Sequence, residues 1–173
     1  SRQLCLSLKS EGHHMAYDAH DDGRRDFHFL YGRWAVEHRR LKVRGVGAQD
    51  WDVFHGTTFC QGLMGGLCNV DENDFPERGF QGLSFRTFDV ESGLWAIYWV
   101  NSQTGTLQDP VFGRFQNGIG LFYGEDVDGD RPVKVVYRWE EITSASARWS
   151  QAFSYDDGQT WETNWIMAFT RTA

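Results

Sequence analysis

His38, Arg40, Arg86, Arg114 and Gln151 interrupt segments that are otherwise apolar and alternating. Burying a guanidinium without a partner is prohibitive. Each inward-facing Arg therefore demands a carboxylate, a carbonyl cluster or an anionic ligand. Asp71, Glu72 and Glu162 are carboxylates that could serve internally. Structural pairing with them, or Arg side chains turned to solvent, is the alternative to a ligand site. His38 is the candidate catalytic residue, a general acid–base with Arg86 or Arg114 stabilising developing negative charge. Isomerisation, cyclisation or hydrolysis of a hydrophobic metabolite would need no cofactor in such a site.

Other chemistry-bearing patterns have structural readings. Ser154-x-Asp156-x-Gly158-x-Thr160-Trp161 matches the Asp-box of sialidase propellers. Its Ser and Asp oxygens accept from turn amides and its Gly supplies positive φ, so it reads as a turn-stabilising device. No second copy exists to support a propeller. Asp126, Asp128 and Asp130 have the alternate spacing of a calcium loop, but the closing bidentate Glu is absent and a solvated turn is expected. His13, His14, His20, His28, His38 and His55 show no metal-binding spacing, and no metal site is expected. Nucleophile elbow, P-loop and dinucleotide fingerprint are all missing.

The elements that must position these residues are strands. Trp149, Phe153 and Tyr155 lead at period two into Asp156-Asp157-Gly158, and Trp161, Trp165, Met167 and Phe169 lead out. Alternation about a Gly-containing turn predicts a hairpin. Upstream, strands are expected at 34–43, 51–60, 67–70, 80–89, 94–100, 110–116, 119–124 and 133–139. Asn117-Gly118 supplies a type I′ turn. Asp71-Glu72-Asn73-Asp74 reads as an acidic loop, and Asp126–Asp130 as a connection. The run Leu94–Val100, which contains Tyr98, is apolar on both faces, so it is covered on both sides or sits where aromatics pack outside the sheet. A short helix is expected over 22–30. About ten antiparallel strands in one domain imply an up-and-down barrel or a sandwich, and full closure, which removes exposed edges, favours the barrel.

A length of 173 residues suits one domain, expected over 27–173. Residues 1–26 read as a loosely ordered extension, in which Gly12-His13-His14-Met15 is either a vector-derived remnant or native. A net charge of −7 argues against nucleic acid as partner, and no apolar run is long enough for a membrane helix. Cys5, Cys60 and Cys68 are too few for a disulfide framework. Cys60 and Cys68 could meet across a hairpin, but reduced thiols and a cytoplasmic location fit better.

Gly32-x-Trp34 on the first strand and Arg171 on the last resemble the calycin (lipocalin-type) signature, in which the late basic residue packs across the indole at the closed end of the barrel. The segments Trp34–Arg39, Asn69–Glu72, Tyr98-Trp99, Pro110–Phe115, Arg148–Ser154 and Thr160–Trp165 are similar to those of uncharacterised bacterial calycin-like proteins. The resemblance spans roughly residues 27–171 and implies a barrel fold but no activity. The Gly-x-Trp-x-Gly-x-Gly form of haem-binding barrels is absent, so no cofactor is expected.

If Trp34 points inward, period two puts Val36, His38 and Arg40 on the inner face. With Arg171 beside Trp34, His38 falls opposite Met167 and Arg40 opposite Trp165. Trp165, Met167 and Phe169 then make an aromatic wall. Trp34, His38, Arg40, Arg86, Tyr98, Arg114, Gln151, Trp165 and Met167 are the expected ligand-lining set. The expected function is binding of a small apolar or aromatic ligand with a polar or acidic end. The competing readings are the enzyme above and an interaction module that dimerises through Trp95 or Trp99. A homodimer is the expected assembly.

Overall fold

The computed structural model describes residues 23–173. Cys5, His13, His14, His20 and the 12–15 junction lie outside the described residues. The chain forms strands β1 (Gly32–Leu41), β2 (Trp51–Leu63), β3 (Cys68–Phe75), β4 (Phe80–Asp89), β5 (Leu94–Asn101), β6 (Val111–Gln116), β7 (Ile119–Asp128), β8 (Arg131–Glu140), β9 (Ser146–Ser154) and β10 (Glu162–Arg171). Each pairs antiparallel with its sequence neighbour, and β1 pairs with β10 to close an up-and-down barrel. The closing register sets Trp34 against Arg171, His38 against Met167 and Arg40 against Trp165, as the sequence predicts.

One end is sealed by side chains. Of the helix expected over 22–30, only a 3-10 turn, His28–Leu30, forms among the described residues. Phe27 and Leu30, three apart and so on one face of such a turn, are both fully buried. The Phe27 ring lies 5.0 Å from that of Trp95 and 6.4 Å from that of Trp139. Trp34 Nε1 donates to Leu30 O (2.8 Å). Arg171 stacks 4.1 Å over the Trp34 ring and donates to the carbonyls of Phe29, Tyr31 and Ser144. Gly32 has φ +109°, and a Cβ there would meet the Arg171 guanidinium, so the Gly of Gly-x-Trp makes room for the cation.

Two acidic segments are strand rather than loop. Asp71–Asp74 forms the second half of β3, with Asp71 and Asn73 buried inside and Glu72 exposed outside. Asp126 and Asp128 belong to β7, leaving only Gly129 and Asp130 to turn the chain. Charge signalled a loop in both places, but period-two pleating turns alternate residues inward, where a carboxylate survives if it is paired. The final hairpin has a wider connection than the tight turn expected, residues 155–161. There Ser154, Asp156 and Thr160 exchange hydrogen bonds with each other and with the amides of Gly158 and Thr160. These bonds hold the Asp156 carboxyl down to about 2. The structural reading of the Asp-box holds, although Trp161 is exposed at the surface.

Candidate functional site

Side chains do not fill the barrel. A cavity of about 280 Å³ opens toward the end where β1 finishes and β10 begins. Arg40, Arg86, Gln151, Trp165 and Met167 of the predicted set line it. One wall, from β8 to β10, is aromatic and includes Tyr137, Trp139, Trp149 and Trp165. The facing wall, on β3 and β4, is polar and contributes Asp71, Asn73, Ser84 and Arg86.

The polar wall is a hydrogen-bonded network, in which Arg86 Nε and Asn69 Nδ2 are buried without a partner among the described residues. Arg86, 4% exposed, pairs through Nη2 with Asp71 Oδ2 (2.6 Å) and donates through Nη1 to Asn69 Oδ1 (2.9 Å). Asn73 Nδ2 donates to Asp71 Oδ1 (2.6 Å), and Thr58 Oγ1 donates to Asn73 Oδ1 (2.6 Å). Asp71 is therefore the internal partner that Arg86 requires. Glu162 instead accepts from the amides of Gly45 and Gly47, tying down the β1–β2 loop.

Arg40 is different. It is half-buried at the cavity rim, 5.1 Å over the Trp165 ring, and its guanidinium makes no hydrogen bond or ion pair among the described residues. Burial and then the nearby Arg44 lower its pKa; a guanidinium nonetheless stays charged at any physiological pH. Nearby cations already have partners: Arg44 bonds Asp128 Oδ1 (2.7 Å), and Arg78 bonds Asp52.

His38 lies behind this wall rather than in the cavity lining. It is 1% exposed, stacks on Phe54 with centroids 4.8 Å apart, and accepts at Nδ1 from Trp165 Nε1 (3.1 Å). Burial, then Arg40, pushes its pKa down to about 3. The neutral imidazole, protonated on Nε2, holds the Trp165 indole in place and takes up no second proton near neutral pH. Trp34 seals the closed end beneath the cavity.

Two predicted residues fall on the outside. Tyr98 packs against Phe85 on the outer face, with centroids 6.3 Å apart, and Arg114 is exposed. In β5 and β6 both faces carry large apolar residues, so alternation could not choose the inner one. Trp95 is fully buried and Trp99 lines the cavity, so neither offers a dimer face. Tyr137, Trp139 and Ser84 were not singled out from sequence. Their signal lay in the register: Tyr137 is the Cα partner of Gln151.

Cys60 and Cys68 are free and buried, and burial raises the Cys60 thiol to about 12. Among the described residues no group of three or more His, Cys, Asp or Glu converges to hold a metal. No helix among them is long and apolar enough to cross a membrane. No family model matches the chain, and no curated protein matches it.

Proposed function

We propose that this chain is a calycin-like barrel that binds, in its lumen, a small aromatic or apolar ligand with an acidic end. Arg40 carries the reading. A half-buried guanidinium with no hydrogen-bonded carboxylate among the described residues, its neighbour Asp52 being held by Arg78, sits over an aromatic ring at a cavity rim and is incomplete until an anion arrives. The aromatic wall beside it supplies apolar area for the ligand's body. The closed Gly32–Trp34–Arg171 end supports the calycin assignment. Free Cys60 and Cys68 suit the reducing cytoplasm.

Isothermal titration calorimetry with 3-phenylpropionate and its amide tests the charge requirement. The carboxylate is expected to bind one per chain, at least tenfold tighter than the amide. Arg40→Gln is expected to erase that difference. Equal binding of acid and amide to the unaltered protein would overturn the reading.

A further inference from the structure

Arg40, Trp165, Gln151 and Tyr137 are successive Cα partners across β1, β10, β9 and β8. All line the cavity. They form one inward rung around the barrel wall. Three strand spacings separate its ends, about 14 Å of wall, shortened by two side chains that reach inward.

Each member presents a different chemistry. Arg40 offers a cation with no hydrogen bond or ion pair among the described residues. Trp165 has its N–H engaged by His38, so only its ring face is left for a ligand. Gln151 donates its amide N–H to Asn164 Oδ1 (2.8 Å), and its Oε1 makes no hydrogen bond among the described residues. The Tyr137 hydroxyl likewise has no hydrogen-bond partner among them, and burial raises its pKa, keeping it a neutral phenol that both donates and accepts.

Building on the proposed acid-binding lumen, we infer that the ligand is an aromatic carboxylate with a hydroxyl at its far end. The carboxylate meets Arg40 and the ring lies against Trp165. The hydroxyl donates to Gln151 Oε1 and accepts from Tyr137. A second carboxylate at that end would face the Gln151 oxygen with no uncompensated cation on the rung to balance it, because Arg40 alone is unpaired there. A bare ring would leave the acceptor and the hydroxyl unmatched, at a cost of about tenfold in affinity.

Calorimetry with 3-(4-hydroxyphenyl)propionate, its 4-methoxy analogue and 3-phenylpropionate reads this directly. The hydroxyl compound is expected to bind about tenfold tighter than the bare ring. The methoxy analogue, which accepts but cannot donate, is expected to lose most of that gain. In Tyr137→Phe the hydroxyl's advantage over the bare ring is expected to shrink to about twofold. If 3-phenylpropionate binds and depends on Arg40 but the hydroxyl adds nothing, the hydroxyl subsite is wrong and the acid-binding reading survives. If no aromatic acid binds, both fail together.

Discussion

His38 and Arg40 stand two residues apart on one face of β1 and serve opposite ends. Arg40 is left open at the cavity rim, whereas His38 is sealed behind Trp165 and fixes that ring's orientation. The sequence made both legible as inward-facing, because period two from Trp34 counts to each. It could not say which would be spared for a ligand, since that depends on Asp52 and Asp128 being taken by Arg78 and Arg44. Burial of His38 also has a thermodynamic signature. Between its folded pKa of about 3 and the ordinary 6.5, the unfolded chain holds a proton that the folded chain refuses. Stability from this group is complete above the ordinary value and is lost as pH falls toward 3. The loss by pH 4 is about 3 kcal/mol. Chemical denaturation at pH 7 and pH 4 is expected to show the native chain losing about that much more than His38→Phe. An equal loss in both would mean that His38 takes up its proton in the folded state.

At the scale of elements, β3 shows what sequence patterning can and cannot reveal. Its run Asp71-Glu72-Asn73-Asp74 has the composition of a loop, yet β2 and β4 flank it and pleating turns Asp71 and Asn73 inward. The missing information was Arg86, whose own need for a partner is visible but whose register with β3 is not. Asp71→Asn is expected to cost about 3–5 kcal/mol, because it leaves a buried guanidinium uncompensated. Adding Arg86→Met is expected to restore most of that stability, since replacing a buried pair by apolar groups is often neutral. Urea titrations of the two variants compare them directly, and a double variant no more stable than the single would show that the pair is not coupled. The strands β5 and β6 posed the converse problem. Apolar residues on both faces left Tyr98 and Arg114 unassignable by alternation, and both lie outside.

The whole molecule is a barrel closed at one end by Phe27, Leu30, Trp34 and Arg171 and hollow above them. Its closure was readable because two distant signals, Gly32-x-Trp34 and Arg171, share one physical cause: a cation stacked on an indole at the point where first and last strands meet. The hollow was not readable, because many aromatic residues could equally have filled it; whether they interdigitate depends on rotamers that composition does not encode. A net charge of −7 opposes an anionic ligand only at long range. Screening within about 8 Å at physiological salt leaves the local field of Arg40 in control. Native mass spectrometry of the protein, as purified and after incubation with millimolar 3-phenylpropionate, reads whether the lumen holds an acid through Arg40. One small acidic molecule per chain is expected, retained in the folded state, released on denaturation and absent from Arg40→Gln. A bare chain mass under both conditions would contradict it.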